Sequence, residues 1–163
     1  MIKKIVLPIV AVAVFIVAVG IFLQKSKILS TNPVSTPNPK TVTISGKTVA
    51  VEVAKTSDER SKGLSGRSSL DNDAGMLFVF EENSGNPIFW MKDMLIPLDI
   101  IWIKDGKVIK IDKNVPAPEK GTADSKLKTY STGTFVDYVL EVNAGFTESG
   151  SIKVGDSVSF SGI

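Results

Sequence analysis

A short aromatic and basic motif contains the residues of this chain that are best suited to binding chemistry. Trp90 and Lys92 are two positions apart, so on a β-strand their side chains lie on the same face. An indole ring can stack on a sugar or a base, and a neighbouring ammonium group can hold an anion. The pair therefore predicts a ligand platform. The alternative is that Trp90 packs in the core while the Lys92 ammonium reaches the rim.

Asp99 is a second candidate, because it interrupts a strongly apolar run. By alternation it shares a strand face with Ile101 and Ile103. If that face is buried, the carboxylate must be paired, since an isolated buried carboxylate costs several kcal/mol. We predict that Asp99 accepts hydrogen bonds from Arg67, Lys92 or backbone N–H groups, an arrangement that is more often structural than catalytic.

Two arginines flank a small glycine-containing turn. Arg60 and Arg67 stand on either side of Gly63-Leu64-Ser65-Gly66, and such a turn can present N–H groups to an anion while the arginines clamp it. The alternative is an ordinary helix C-cap with arginines on the surface.

Several kinds of chemistry are excluded by composition. The chain has no Cys and no His, which removes a thiol nucleophile, a disulfide, an imidazole base and an ordinary zinc site. The carboxylates Asp71, Asp73, Glu81 and Glu82 do not match the spacing of a twelve-residue calcium loop. No metal site and no cofactor are predicted.

The N-terminus predicts a membrane segment. Residues 5–23 contain no charged side chain, and as a helix they span about 28 Å, close to the thickness of a bilayer core. We predict that residues 1–24 are a transmembrane anchor with a cytoplasmic N-terminus, because Lys3 and Lys4 precede the span. A cleaved secretory signal, ending near Ala18-Val19-Gly20, is the alternative, and the protein would then be secreted.

A linker and a slightly acidic domain follow the apolar segment. Residues 25–40 are rich in Ser, Thr, Asn and Pro, a composition typical of an extended linker. From Lys40 to the C-terminus the chain carries 15 basic and 17 acidic residues, a net charge of −2. This balance argues against nucleic acid as a partner, and no protein partner is identified.

Residues 41–163 predict an extracytoplasmic β domain. Apolar residues alternate with polar ones on either side of Ser45-Gly46-Lys47, and Asp105-Gly106 is the signal of a second hairpin. Thr56 and Glu59 are spaced as a capping box for a short helix that ends at Gly63. Residues 114–134 predict a long surface loop. The class is mainly β, a sandwich or distorted barrel with one or two short helices.

Several separate blocks of the sequence together carry a resemblance: Glu59-Arg60-Ser61-Lys62-Gly63-Leu64, Arg67, Leu70, Gly75-Met76-Leu77-Phe78, Phe80, Phe89-Trp90-Met91-Lys92, Ile96-Pro97-Leu98-Asp99-Ile100, Tyr138-Val139-Leu140-Glu141 and Gly155-Asp156. In this order they resemble the domain of unknown function 192 family, which comprises small secreted or membrane-anchored prokaryotic proteins. The resemblance implies a compact jelly-roll-like sandwich and implies no activity. After Trp-Met-Lys the family has Asn-Thr, where this chain has Asp93-Met94, so a ligand site formed by that Asn and Thr would be altered here.

These observations predict a non-catalytic binding or accessory module of the cell envelope, with a polar or anionic envelope component as its ligand. The first alternative is a hydrolase of envelope glycan, in which carboxylates such as Asp99 and Glu141 share the acid and base roles. The second is a purely structural domain. No catalytic residue is assigned, and the predicted ligand-binding residues are Arg60, Arg67, Trp90, Lys92 and Asp99.

Overall fold

The computed structural model describes residues 38–81 and 85–163, and its elements are mainly β-strands. Within these residues the helices are α1 (Ser57–Lys62) and α2 (Phe146–Ser149), and Asp124–Lys126 forms a 3-10 turn. The strands are β1 (Thr41–Ile44), β2 (Lys47–Ala54), β3 (Ala74–Val79), β4 (Phe89–Trp90), β5 (Leu98–Lys104), β6 (Lys107–Val115), β7 (Thr129–Tyr130), β8 (Tyr138–Asn143) and β9 (Val158–Ser161).

Two hairpins form where the turn residues predict them. Ser45 and Gly46 join β1 to β2 with φ of 51° and 78°, and Asp105 and Gly106 join β5 to β6 with φ of 51° and 67°. Positive φ at both central residues is what a two-residue type I′ turn requires, and Gly, Asn and Asp tolerate it best. Both predicted hairpins are confirmed.

Seven of the strands form one mixed sheet in the order β6-β5-β8-β3-β2-β1-β9. All neighbours are antiparallel except β2 and β3, which are parallel. The sheet curls into a half-barrel, and at one end its two edges meet: the N–H groups of Val108 and Val158 donate to the carbonyls of Asp156 and Gly106 at 2.9 and 2.8 Å. The prediction of a mainly β fold is confirmed. Of the two predicted forms, sandwich and distorted barrel, the curled sheet is nearer to the distorted barrel, because the only other sheet in the described residues has two short strands, β4 and β7.

Both faces of this sheet are buried, which explains why β5 is apolar almost throughout. The first core contains Ala54, Leu64, Met76, Phe78, Met91, Met94, Leu98, Ile100, Trp102, Val115, Tyr130, Val136 and Val139. The second core, on the opposite face, contains Val42, Ile44, Val49, Val51, Leu77, Ile101, Ile103, Val108, Leu140, Val142, Ile152 and Val158. Successive residues of β5 and β8 alternate between the two cores.

Helix α1 begins and ends where the sequence predicts. The Glu59 N–H donates to Thr56 Oγ1 at 3.2 Å, while the Thr56 N–H donates to Glu59 Oε2 at 2.8 Å, which completes the capping box. Gly63 follows the helix with φ of 48°, and its N–H donates to the Glu59 carbonyl at 2.9 Å. These bonds satisfy groups that a six-residue helix cannot satisfy internally, so they fix the position of the short helix.

The segment 114–134 is more ordered in secondary structure than predicted. It contains the 3-10 turn and strand β7, which pairs with β4 through Phe89 opposite Tyr130 and Trp90 opposite Thr129. Tyr130 is buried in the first core. The prediction of a loop without strands is therefore wrong, since a two-residue strand leaves no periodic signal in a sequence.

The predicted membrane anchor at residues 5–23 lies outside the described residues. Between residues 38 and 81 and between 85 and 163, no helix is long and apolar enough to cross a bilayer.

Candidate functional site

A cavity of about 340 Å³ opens on the side of the sheet that carries the first core. Its walls come from α1 and the turn after it, from the end of β3, and from the segment 87–94. This volume is at the lower end of the range for small-molecule sites. We call the cavity the Glu141 pocket; it is lined by Ser57, Arg60, Ser61, Lys62, Gly63, Leu64, Ser65, Phe78, Phe80, Pro87, Ile88, Phe89, Trp90, Lys92, Met94 and Glu141.

Arg60, on α1, connects this helix to the end of β3 by hydrogen bonds. Its Nη1 donates to the carbonyls of Lys55 and Val79, the latter at 3.2 Å, and its guanidinium carbon lies 5.3 Å from the centroid of the Phe80 ring. A planar guanidinium combines directed hydrogen bonds with stacking on a ring in a way that an ammonium cannot. Arg60 therefore holds one wall of the pocket in place and adds a positive charge to it.

Trp90 and Lys92 lie side by side at the pocket, as their spacing predicts. The Lys92 Nζ is 5.5 Å from the centroid of the indole and forms an ion pair with Asp124. The hydrogen bond from Lys92 to the Asp124 carboxylate raises the pKa of Lys92. Trp90 is 46% exposed, whereas Met91 on the opposite side is buried. The alternative in which Trp90 packs in the core is therefore wrong.

The backbone conformation at position 93 accounts for Asp93 in place of the Asn of the family pattern. Its φ is 56°, its side chain is exposed, and its carbonyl accepts the Gly66 N–H at 2.9 Å. Asn and Asp are the residues with side chains that best tolerate this left-handed region. Asp93 thus meets the same backbone requirement that Asn would meet.

Glu141 lies on the floor of the pocket. Its neighbours across the sheet are Met76 on β3 and Ile100 on β5, both of which belong to the first core, and its exposed fraction is 5%. Within the described part of the chain, no hydrogen bond or ion pair reaches the carboxyl group, and removal from water raises its pKa to about 8. Among residues 38–81 and 85–163, no side-chain oxygen or nitrogen is both fully inaccessible and without a partner. The unpaired oxygens of Glu141 therefore retain some accessible surface, which they expose to the pocket.

Asp99 points to the other face of the sheet and does not belong to the pocket. Its carboxylate is inaccessible and accepts backbone N–H groups from Asn114 at 2.8 Å, Gly145 at 3.3 Å and Thr147 at 2.9 Å. The Thr147 hydroxyl donates a fourth bond at 2.6 Å. The prediction of a structural carboxylate held by backbone N–H groups is confirmed, and Asp99 is removed from the set of ligand-binding residues.

The hydrolase alternative loses the carboxylate pair that was predicted for it. In the sheet, Ile100 stands opposite Glu141, and Asp99 stands opposite Val142. Because consecutive residues of a strand point to opposite faces, the carboxyl groups of Asp99 and Glu141 are separated by the sheet. They cannot flank one glycosidic bond as the reaction requires.

Arg67 is also outside the pocket. Its guanidinium makes a two-bond ion pair with Glu52, at 2.6 and 2.7 Å, and the hydrogen bond lowers the pKa of Glu52. Both side chains are substantially exposed, at 34% and 59%. Arg67 therefore links the turn after α1 to β2, and the predicted arginine clamp of Arg60 with Arg67 does not form.

The structure brings three predicted residues together and adds one that carries the site. Arg60, Trp90 and Lys92 line the same pocket, while Glu141 had been considered only as a partner of Asp99. A signal was present, since Glu141 follows Val139-Leu140 inside an apolar strand and shares a face with Val139. The aromatic walls, Phe78, Phe80 and Phe89, lacked such a signal because core residues have the same pattern.

Comparison with known proteins places the chain near two solved structures. One is a candidate transcription regulator from Sinorhizobium meliloti 1021, with 32% identity and a TM-score of 0.64 over 76% of this chain and 95% of the other. The second is a protein of unknown function from Novosphingobium aromaticivorans DSM 12444, with 34% identity and a TM-score of 0.63 over 80% and 91%. Residues 40–160 match the family DUF192, described as "Uncharacterized ACR". No curated protein matches the chain.

Proposed function

The chain belongs to the DUF192 family, and from the pocket in its described residues we propose that the β domain is a non-catalytic module that binds a small ligand. The Glu141 carboxyl group carries the proposal, because it is 5% exposed and opens into the pocket with apolar residues opposite it. Native proteins pair nearly all of their buried polar groups. An unpaired carboxyl group beside a cavity is typical of a functional site.

Binding is favoured over catalysis by the composition of the lining. Glu141 is the only acid among the lining residues that the structure describes. A hydrolase that works through carboxylates needs a second one as base or nucleophile. A purely structural role, the other alternative, fits Asp99 and Arg67, whose polar groups are satisfied within the fold, and does not explain Glu141.

The pocket suits a ligand with both a polar and an apolar part. Arg60, Lys62 and Lys92 supply positive charges, and Trp90 supplies an exposed aromatic surface, so a polar or anionic group of the ligand would bind among these four side chains. Farther inside, Phe78, Leu64 and Met94 belong to the first core. These apolar walls would receive the rest of the ligand.

We propose a small molecule rather than nucleic acid as the ligand. The S. meliloti relative is described as a candidate transcription regulator, and regulation can act through a bound small molecule as well as through DNA. From Lys40 onward this chain has a net charge of −2, whereas proteins that bind DNA directly present a positive surface to the phosphates.

We also propose that the pocket faces the outside of the cytoplasmic membrane, which makes a component of the cell envelope the ligand. Residues 5–23 would be the anchor and residues 25–40 the spacer, on the evidence of their composition. In spheroplasts that express the chain with a C-terminal tag, added protease should remove the tag before the membrane is lysed. Protection of the tag until lysis would contradict the proposed topology. Recovery of the domain in the medium would indicate a cleaved signal.

Binding can be tested on the full chain in detergent micelles. A library of small envelope metabolites is screened by thermal shift, and calorimetry then measures the Kd of each compound that stabilises the protein. We expect Trp90→Ala to weaken binding at least about tenfold, or about 1.4 kcal/mol, because aromatic anchors supply much of the energy in such sites. Trp90→Phe should lose less.

The controls separate the pocket from the general surface. Lys92→Ala should weaken the binding of anionic compounds, whereas Lys113→Ala, at an exposed position of β6, should leave every Kd unchanged. If no compound stabilises the protein, or if the Trp90 and Lys92 variants bind every compound as the parent does, the proposed function is wrong.

A further inference from the structure

The surroundings of Glu141 determine which ligand group the pocket can accept. The elements packed against it, β3 and β5, place Met76, Phe78, Ile100 and Trp102 on the same face, and none of these side chains titrates. The charged side chains around the pocket are Arg60, Lys62 and Lys92. These contacts mean that apolar groups surround the carboxyl group on the protein side, and the cavity is the remaining side.

The protein does not supply a cation to Glu141 from the part of the chain that the structure describes. The Lys92 ammonium bonds to Asp124 and Arg60 Nη1 bonds to the carbonyls of Lys55 and Val79, so neither group bonds to Glu141. Both side chains remain partly exposed and keep their positive charge at the pocket. A site that needed only a hydrogen-bonding group could use an amide or a hydroxyl, which cost less to bury than an acid. A carboxyl group adds the capacity to become negative when a cation arrives.

Aromatic rings strengthen the case for a cationic group. Four aromatic rings line the pocket, and the negative face of such a ring attracts an ammonium group, more strongly when water is displaced. Arg60 and Lys92 already lie over Phe80 and Trp90, so Phe78 and Phe89 are the rings that remain for a cationic group of the ligand. The three basic side chains around the pocket would repel a ligand that is purely cationic. A ligand with a second, anionic group would remove that repulsion and gain contacts with the same side chains.

Resting on the proposed binding function, we propose that the ligand is a zwitterionic primary amine with an apolar body, held by its ammonium group at Glu141 and by its anionic group at Arg60, Lys62 and Lys92. The chemical class is that of apolar α-amino acids. The size of the pocket, about 340 Å³, favours a single small molecule over a polymer.

Matched sets of probes test the ammonium contact on the full chain in detergent micelles at pH 8.5. Calorimetry compares leucine and phenylalanine with 4-methylpentanoate and 3-phenylpropionate, which lack the amine, and with 3-methylbutylamine and 2-phenylethylamine, which lack the acid. We expect at least one amino acid to bind, and both of its analogues to bind at least about tenfold more weakly. Glu141→Gln should weaken the binding of the amino acid at least about thirtyfold. Glu148→Gln, at an exposed carboxyl group of α2, should leave the Kd unchanged.

A pH series separates ligand binding by Glu141 from a purely structural role, because a structural role would not make the affinity for the ligand depend on pH in this way. Because the carboxyl group must ionise to receive the ammonium, the affinity for the amino acid should rise about tenfold from pH 6 to pH 7 and level off near pH 8. The Glu141→Gln variant should show no such rise, and its circular dichroism should match that of the parent.

The failure of this inference is distinguishable from the failure of the binding function. If the acids without an amine bind as well as the amino acids, and Glu141→Gln binds them unchanged, then the amine assignment is wrong while the binding function stands. If none of the six probes binds, the amine assignment is wrong, and the separate library screen decides the binding function.

Discussion

Replacing Asp99 with alanine is expected to lower the free energy of unfolding by about 3–5 kcal/mol, the range for breaking a buried hydrogen-bonded charge network. The carboxylate is inaccessible and accepts four hydrogen bonds, from the N–H groups of Asn114, Gly145 and Thr147 and from the Thr147 hydroxyl. Alanine would leave those donors buried without an acceptor, and each orphaned donor costs about 1–3 kcal/mol before the structure relaxes.

Chemical denaturation followed by tryptophan fluorescence, to which the buried Trp102 and the exposed Trp90 both contribute, measures this loss. Asp99→Asn should lose roughly half as much, because one oxygen remains an acceptor and the Thr147 hydroxyl can turn to accept from the new amide. Asp71→Ala, at an exposed carboxyl group, should change the free energy by no more than about 0.5 kcal/mol. A loss below about 1 kcal/mol for Asp99→Ala would contradict the structural role assigned to Asp99.

Replacing Glu141 should raise the stability rather than lower it, by an amount that depends strongly on pH. Burial raises its pKa to about 8 from an ordinary value of 4.5, so between these values the folded state holds a proton that the unfolded state has released. The free energy of unfolding should therefore fall as the pH rises from 4.5 to 8, by several kcal/mol in total. The contribution of Glu141 is fully present below pH 4.5 and absent above pH 8.

Glu141→Gln removes this dependence, since an amide does not titrate. At pH 9 the variant should be more stable than the parent by several kcal/mol, and at pH 4.5 the two should be nearly equal. Denaturation curves at pH 4.5, 6, 7.5 and 9 give the comparison, with Glu148→Gln as the matched exposed substitution. Parallel curves for the parent and Glu141→Gln would show that the carboxyl group is not buried as described. A variant that gains stability and loses the ligand is the expected pattern for a binding residue.

The local parts of this fold could be predicted from the sequence because their causes are local. The capping box of Thr56 with Glu59 and the Asp105-Gly106 turn depend on residues at most three positions apart. The type of environment around Asp99 could also be predicted. Alternation places Asp99 among buried residues, and a buried carboxylate needs hydrogen-bond donors around it. Its particular donors come from residues up to 48 positions away, and no local pattern identifies them.

Pairings between distant surface residues could not be predicted for a related reason. Lys92 and Arg67 were both candidate partners of Asp99, yet Lys92 pairs with Asp124, 32 positions away, and Arg67 pairs with Glu52. Alternation indicates which residues share a face, and here both faces of the sheet are buried. It therefore could not indicate that Glu141 faces a cavity while Asp99, on the neighbouring strand, faces the other core.

The meeting of the sheet's two edges bears on how the folded domain avoids strand-by-strand aggregation. Unpaired edge strands are templates onto which other chains can add a strand. Here the beginning of β6 bonds to the segment that leads into β9, and β9 itself has four residues. Lys113 then places an exposed positive charge near the end of β6, while the Lys110 ammonium pairs with Asp112. The domain thus offers little free backbone to a second chain, even though its net charge is too small to keep copies apart by repulsion.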